Sequence, residues 1–425
     1  MRASTYFADN TWHLRVSLDA EDDVHALGQW NIPIELVTPY CRLELPFQPD
    51  PHPDLVGLAV LTIVRPWAKR RLRLNTPVGD HLAEAVKREF GLEMGPVDHQ
   101  LAPRAQGPNA LTGLSLGPDC LAGDVLLNLP KRAFYFIRIP HPAIPNRATH
   151  IRHDTIVRRL GEAINRGWEI DFYRSDLEYM AARPFPTFAH WVTMFVGAIL
   201  MADEDDLGNI VSGRHMGGAY IHSGQRFDLG ADHDRRLRSV FNAAGLDIVT
   251  SVAGLTEVGT SIVAHDHELF DLSSSCLLSD KPRGGCKRCD KCFRKELAHA
   301  WVERRAPDPE ILQWGETDAA FKRKFERFET TPQPHSYAFL ATRLEGLEGS
   351  FLKDWVGQFR NPFEATSWVD RWFPDALDEW LPEEWRSGVL REINPRVEPM
   401  SEDEQETVRT WPRALLSGPL EVRST

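Results

Sequence analysis

Residues 111–120, LTGLSLGPDC, decide the predicted fold of this chain. A short apolar strand from Leu111 to Leu116 is followed by a turn at Gly117 and Pro118, and a helix begins near Asp119. The unpaired N–H groups at a helix N-terminus bind anions, so this turn is a candidate phosphate site. A plain strand–turn–helix corner has the same composition, and this stretch alone leaves both interpretations open.

Strand-like and helix-like segments alternate downstream of this turn. The segments with strand character are 133–139, 168–172, 209–212 and 247–252. The segments with helical spacing are 156–164, 190–201 and 235–244. Such alternation predicts an α/β fold with a mostly parallel, doubly wound sheet that is covered on both faces.

The two flanks differ from this central pattern. Residues 1–105 are rich in strand signals, and the apolar run 55–64 is predicted to be a central strand, with a helix at 82–92. Residues 300–425 show helical spacing and hold eight of the thirteen tryptophans, with 16 Lys and Arg against 24 Asp and Glu. We therefore predict three parts: a β-rich N-terminal domain (1–105), a central α/β domain (106–299) and a helical, acidic, tryptophan-rich C-terminal region (300–425).

Net charge and hydropathy argue against a general nucleic-acid binder, a secreted protein and a membrane protein. A net charge of −12 opposes general nucleic-acid binding, and the basic stretch 65–73 is interpreted as a solvated strand edge. The N-terminus has no apolar segment typical of a signal peptide. The longest apolar run, 191–202, is too short to cross a bilayer. We expect a cytoplasmic protein without a membrane anchor.

Four of the six cysteines are clustered. They have the spacing C-x9-C-x2-C-x2-C and are Cys276, Cys286, Cys289 and Cys292. Four thiolates fill the tetrahedral shell of Zn²⁺, which predicts a structural zinc site without an open position for water. An iron–sulfur cluster and a redox switch are the alternatives.

The loop and the cysteine cluster together resemble the PP-loop ATP pyrophosphatases, and among them 7-cyano-7-deazaguanine synthase. That family carries S-G-G-x-D-S where this chain has Ser115, Gly117 and Asp119, and C-x8-C-x2-C-x2-C where this chain has its cysteines. Cys289-Asp290-Lys291-Cys292, followed by basic residues, is similar to the family's C-D-x-C segment, and 254–258 (GLTEV) is similar to its T-K-x-E segment. The resemblance covers residues 110–296.

The resemblance implies a fold, ligands and site residues. The fold would be that of the adenine nucleotide alpha hydrolases, with ATP, Mg²⁺ and structural zinc as ligands and cofactors. The implied ATP-binding residues are Ser115, Leu116, Gly117, Pro118, Asp119 and Cys120, with Asp119 catalytic through its hold on magnesium. The implied substrate contacts are Gly213, Arg214 and Thr187.

This chain departs from the family pattern at four positions. Leu116 replaces a glycine and opposes a left-handed turn, Pro118 has no N–H to donate, and Cys120 replaces a serine hydroxyl. Glu257 follows Thr256 where the family has a lysine. Each change removes a feature that favours phosphate binding.

Three functions follow from these observations. The first is an ATP-dependent ligase that adenylates a 7-carboxy-7-deazaguanine-type carboxylate and passes the acyl group to an amine. Large relatives occur in antiphage defence operons, so a partner protein bound through the N- or C-terminal extension is a candidate acceptor. The second is a decayed, zinc-stabilised scaffold in a protein complex. The third, a tRNA-modifying enzyme, is opposed by the net charge.

Overall fold

A computed structural model provides the structure of the chain. It describes residues 1–27, 33–142, 153–182, 186–221, 226–227, 232–273, 276 and 285–416. Within these ranges, the side chains of 153–156, 158, 186–187 and 232–234 are outside the description.

Fourteen strands occur in the described residues. They are β1 (Arg2–Ala8), β2 (Thr11–Ser17), β3 (His25–Leu27), β4 (Pro33–Leu36), β5 (Tyr40–Glu44), β6 (Arg71–Gly79), β7 (Glu93–Asp98), β8 (Asn109–Gly113), β9 (Arg132–Arg138), β10 (Glu169–Ser175), β11 (Ala181–Ala182), β12 (Pro186–Thr187), β13 (Leu207–Val211) and β14 (Asp247–Val249).

Eighteen α-helices occur in the same part of the chain. They are α1 (Pro53–Val64), α2 (Asp80–Phe90), α3 (Pro118–Leu127), α4 (His153–Asn165), α5 (Val196–Leu200), α6 (Met216–Ala219), α7 (Asp232–Ala243), α8 (Glu257–Asp266), α9 (Asp290–Val302), α10 (Pro309–Thr317), α11 (Ala319–Arg323), α12 (Pro334–Arg343), α13 (Phe351–Val356), α14 (Pro362–Ala365), α15 (Asp375–Trp380), α16 (Glu383–Ile393), α17 (Glu402–Arg409) and α18 (Arg413–Leu416).

Ten strands form one sheet in the order β14-β13-β8-β9-β10-β5-β2-β1-β6-β7. The first five of these are parallel to one another. Counted along the chain from β8, their order is 3-2-1-4-5, so the chain adds strands to one side of β8 and then to the other. This order is typical of a doubly wound sheet, and the predicted mostly parallel α/β architecture is confirmed.

The N-terminal strands continue the same sheet. β5 pairs antiparallel with β10, and β2 and β1 follow antiparallel, whereas β6 and β7 are parallel to β1. A second sheet, β12-β11-β4-β3, also combines strands from the N-terminal and central parts of the chain. The predicted boundaries at 105 and 299 remain predictions.

Apolar clusters cover both faces of the parallel strands. On one face, α1, α5 and α7 pack with β8, β13 and β14. On the other face, α3, α4, α8 and α16 pack with β9, β13 and β14. Both faces are covered, as the alternation of strands and helices predicts.

The predicted strand at 55–64 is wrong, because this run forms helix α1. Every residue from Asp54 to Val64 is buried, so the helix is apolar on all sides and shows no amphipathic period. Pro53 occupies the first turn, and Nδ1 of His52 accepts a hydrogen bond from Asp54 N–H at 3.2 Å. The segment 190–201 is also more irregular than predicted: a 3₁₀ turn, Trp191–Phe195, precedes α5.

The C-terminal region is helical, as predicted. Beyond residue 300 the described residues form helices and short turns, with a single β-bridge between Trp372 and Pro399. Five of its eight tryptophans are buried in the C-terminal helical core or against α3 and α8: Trp355, Trp368, Trp372, Trp380 and Trp411. They stabilise packing and do not form an exposed aromatic surface. Each described helix falls short of the length or apolarity that a membrane span requires.

Candidate nucleotide cleft and cysteine cluster

A cleft of about 380 Å³ lies at β8, β9 and β13, near their carboxyl ends. β8 is the strand at which the winding direction changes, and the loops after β8 and β13 therefore separate there. Ligands of open α/β sheets bind at such a switch point. Of the predicted site residues, Ser115, Cys120, Gly213 and Arg214 line this cleft.

The loop after β8 forms a left-handed turn despite its leucine. Leu116 has φ of +56°, and its side chain is fully buried against α3 and β9. The expectation that Leu116 opposes this turn is therefore wrong: burial of the leucine side chain offsets a cost of about 1–2 kcal/mol for the left-handed conformation. Leu116 does not line the cleft.

Gly117 and Pro118 start α3 in a regular way. Gly117 is the N-cap in extended conformation, and Pro118 occupies the first turn, where a backbone N–H would lack an intrahelical acceptor. The proline therefore leaves α3 intact, but it removes one donor that a phosphate could use.

Gly213 fits closely against the first turn of α3. A Cβ atom at this glycine would lie 2.7 Å from Cys120 Cα, N and Sγ. Cys120 Sγ in turn lies 3.2 Å from Ser115 Oγ, so the two side chains of the loop contact each other. Burial raises the pKa of the Cys120 thiol, against the opposing effects of Ser115 and of the Lys295 charge.

Asp119 faces α8 rather than the cleft. Its Oδ1 accepts a hydrogen bond from Thr260 Oγ1 at 2.7 Å, and Thr260 is fully buried. Within the described ranges, no other carboxylate joins Asp119 in a group of three metal-ligating side chains. The described residues therefore build no closed magnesium site there.

A group of aromatic rings forms the apolar wall of the cleft, and Arg214 lies against it. The Arg214 guanidinium lies 4.6 Å from the Trp191 ring centroid and donates to the Gly218 carbonyl. Trp191 packs edge-on against Phe195 at 5.4 Å, and Phe195 packs edge-on against Phe134 at 5.8 Å. This wall suits a flat heterocycle. Thr187 lies in β12, and its side chain is outside the described residues.

Helix α9 contributes two lysines near the loop. Lys291 lines the cleft, and Lys295, one turn further along the helix, is buried with 8% of its surface exposed. Burial, and then the Lys291 charge, lowers the pKa of Lys295 to about 8, although Asp119 and Glu257 oppose this shift.

A buried ion pair ties α9 to α8. Glu257, 2% exposed, binds the Arg294 guanidinium. Burial alone would raise the pKa of Glu257, but the charges of Arg294 and Lys295 lower it to about 2. Glu257 therefore holds α9 against α8 through Arg294. The resemblance implied a lysine at this position. Thr256 is the N-cap of α8, and its Oγ1 donates to the Val369 carbonyl at 2.5 Å.

The four cysteines form a compact group just before and within the first turn of α9. Their Sγ atoms all lie within 4.8 Å of one another. Backbone N–H groups donate to three of the sulfurs: Cys286 N to Cys276, Arg288 N to Cys286 and Cys292 N to Cys289, at 3.3–3.4 Å. Such donors stabilise thiolates, so this group of cysteines can bind a metal such as zinc.

Gly285 makes the close approach of these sulfurs feasible. Its φ is +66°, and a Cβ there would lie 2.6 Å from Cys292 Sγ. Cys289 is the N-cap of α9 and Cys292 lies in its first turn. A bound metal would therefore fix the start of the helix that carries Lys291 and Lys295.

Several residues of the cleft, and Lys295 near it, escaped the sequence prediction: the cleft residues are Phe134, Arg138, Trp191, Phe195 and Lys291. The aromatic residues lie in ordinary apolar segments, and nothing local distinguishes a wall residue from a core residue. The two lysines share one helical face by their i, i+4 spacing, which was visible beside the cysteines.

Comparison with known proteins adds one match. The sequence model of a family of unknown function, DUF6395, matches residues 236–412. This segment holds the cysteine cluster, α9 and most of the C-terminal helices, but not the loop at 115–120. No curated protein and no solved structure matches the chain.

Proposed function

We propose that the chain is an ATP-dependent ligase that activates a carboxylate as an acyl adenylate and transfers the acyl group to an amine. The observation that carries this proposal is the convergence at one cleft of a helix N-terminus, two basic side chains and an aromatic wall. These are the loop at 115–120, Arg214 with Lys291, and Trp191 with Phe134 and Phe195.

Each part of the cleft has a role in this reaction. The aromatic wall stacks a flat base, and the N-terminus of α3 with Lys291 and Arg214 binds phosphate oxygens. A carboxylate oxygen of the substrate attacks the α-phosphorus, and the bond to pyrophosphate breaks. The amine nitrogen then attacks the acyl carbon, loses a proton, and AMP leaves with the carboxylate oxygen. By resemblance, the substrate is a 7-carboxy-7-deazaguanine-type acid.

The amine acceptor is either ammonia or an amine of a partner protein. Ammonia would lead to an amide, and a second activation by ATP, in which the amide oxygen leaves with AMP, would give a nitrile. A protein amine would instead give a conjugate. Zinc on Cys276, Cys286, Cys289 and Cys292 would hold α9 in place and take no part in the chemistry.

The scaffold function is the second candidate. Two observations favour it: Pro118 offers no N–H, and the Asp119 carboxylate is engaged by Thr260. The tRNA-modifying function gains no support, because Cys120 is the only cysteine of the described residues that lines the cleft, and Cys41 is buried in the core.

ATP–pyrophosphate exchange separates these functions without knowledge of the acceptor. Zinc-loaded full-length protein is incubated with Mg²⁺, ATP, labelled pyrophosphate and 7-carboxy-7-deazaguanine. We expect label to enter ATP only when the acid is present, with exchange reduced at least tenfold in Arg214→Met and unchanged in the exposed control Asp354→Ala.

The same mixture with hydroxylamine traps an acyl adenylate as a hydroxamate. Mass spectrometry of reactions with ammonium or a genomic-neighbour protein then identifies the acceptor. Absence of both exchange and hydroxamate in protein that carries zinc would refute the ligase and favour the scaffold.

A further inference from the structure

Lys295 is a buried cation without a hydrogen-bond partner. Its Nζ atom is fully enclosed, and none of the described residues accepts a hydrogen bond from it. The two carboxylates that attract it are already engaged, Asp119 by Thr260 and Glu257 by Arg294. A buried charge in this state destabilises the folded protein unless something pairs with it.

The surroundings of Lys295 connect it to the cleft. It lines a second cavity of about 270 Å³ between α9 and the segment that follows α8. Lys291 lines both this inner cavity and the cleft of about 380 Å³. The Lys295 charge also acts on Asp119 and Cys120, the two loop residues at the start of α3. Lys291 therefore borders both cavities, and Lys295 borders the second one.

The loop itself is poor in phosphate donors. Pro118 has no N–H, and the side chains of Ser115 and Cys120 contact each other at 3.2 Å. A triphosphate carries several negative charges, and their compensation has to come from elsewhere. Lysines are effective point charges for phosphate, and α9 presents two of them one turn apart.

We infer that Lys291 and Lys295 form the subsite that binds the pyrophosphate end of the nucleotide. This inference rests on the proposed function. The base and sugar would occupy the aromatic cleft, the phosphates would pass Ser115 and Cys120, and the leaving pyrophosphate would lie between the two ammonium groups. Lys295 would then be the group that stabilises the negative charge developing on the leaving group.

Binding of inorganic pyrophosphate tests this subsite without any turnover. Calorimetric titration of zinc-loaded full-length protein is compared among the wild type, Lys295→Met, Lys295→Arg, Lys291→Met and the distant exposed control Lys87→Met. We expect Kd to increase at least tenfold in Lys295→Met and several-fold in Lys291→Met. Arginine should retain most of the affinity, and Lys87→Met should match the wild type.

Lys295 has a competing role, which is to neutralise the cysteine thiolates. The zinc content of each variant tests for that role. Equal pyrophosphate affinity in Lys295→Met and wild type overturns the inference, as does loss of zinc from Lys295→Met together with unaltered binding in Lys291→Met. Exposed Lys291 can be replaced without a threat to folding. Lysine-dependent pyrophosphate binding without ATP–pyrophosphate exchange would keep the subsite and reject the ligase. ATP–pyrophosphate exchange without lysine-dependent pyrophosphate binding would keep the ligase and reject the subsite.

Discussion

At the scale of single residues, Gly213 shows how closely the two loops of the cleft fit. A Cβ atom there would be 2.7 Å from backbone and sulfur atoms of Cys120, and backbone atoms cannot move aside cheaply. We predict that Gly213→Ala lowers the free energy of unfolding by about 1–3 kcal/mol and reduces ATP–pyrophosphate exchange. Gly161→Ala is the matched control, since its Cβ would meet nothing within 4 Å inside α4. That variant should be neutral or stabilising, by up to about 1 kcal/mol. Equal thermal stability of the two variants would contradict this account.

Glu257 is a second residue whose environment decides how a substitution changes the stability of the protein. Its carboxylate is buried, the Arg294 side chain is only 15% exposed, and Glu257→Lys would place two cations together. We predict a loss of about 3–5 kcal/mol in urea unfolding, although this change introduces the residue type found in the family that the sequence resembles. The exposed pair Arg71–Glu93, at 2.9 Å, provides the control: Glu93→Lys should cost less than about 1 kcal/mol.

The same ion pair has a defined pH dependence. The folded pKa of Glu257 is lowered to about 2, so its stabilising contribution is complete above the unfolded value near 4.5 and is lost as the pH falls toward 2. Wild type should therefore lose stability between about pH 4.5 and pH 2, and Glu257→Gln should lose less over that interval. An identical decrease in both proteins would exclude Glu257 as a source of this acid sensitivity.

At the scale of elements, α9 links the cysteine cluster to the cleft. Because Cys289 caps the helix and Cys292 lies in its first turn, removal of metal should release the start of α9. We predict that chelation increases amide hydrogen exchange at 286–296 and weakens pyrophosphate binding. Co²⁺ reconstitution should give the visible spectrum of a tetrahedral tetrathiolate site, whereas a brown, iron-containing protein would support the iron–sulfur alternative.

The elements that could be predicted from the sequence are those whose residues lie close together along the chain. The cysteine ligands lie within seventeen residues of one another, and the loop at 115–120 is continuous, so both were visible in the sequence. Helix α1 was not, because a short run that is apolar on every side has neither a helical nor a strand period. The aromatic wall was hidden for another reason: Phe134 and Trp191 come from distant segments, and only the sheet order brings them together.

At the scale of the whole molecule, the C-terminal helices support the site rather than extend from it. Tyr337 Oη donates to Asp290 at 2.9 Å and Lys324 Nζ lies 3.1 Å from the same carboxylate, both at the start of α9. Phe373 N–H donates to the Gly254 carbonyl at 2.8 Å, and Val369 accepts from Thr256, both beside α8. A deletion of 300–425 would therefore expose the apolar faces of α8 and α9.

This coupling predicts that residues 1–299 do not fold as an independent unit. The expressed fragment should aggregate or elute as an expanded species in size-exclusion chromatography, and it should lack a cooperative thermal transition, because much of a shared core is missing.

Tyr337→Phe in the full chain is the milder counterpart: it removes one buried hydrogen bond, and it should cost about 1 kcal/mol while zinc content stays unchanged. A monodisperse fragment that binds zinc and melts cooperatively would instead show that the C-terminal region is an appended domain, and partner binding could then be assigned to it by deletion. If the fragment fails as predicted, the search for a partner surface needs point substitutions of exposed residues in the intact chain.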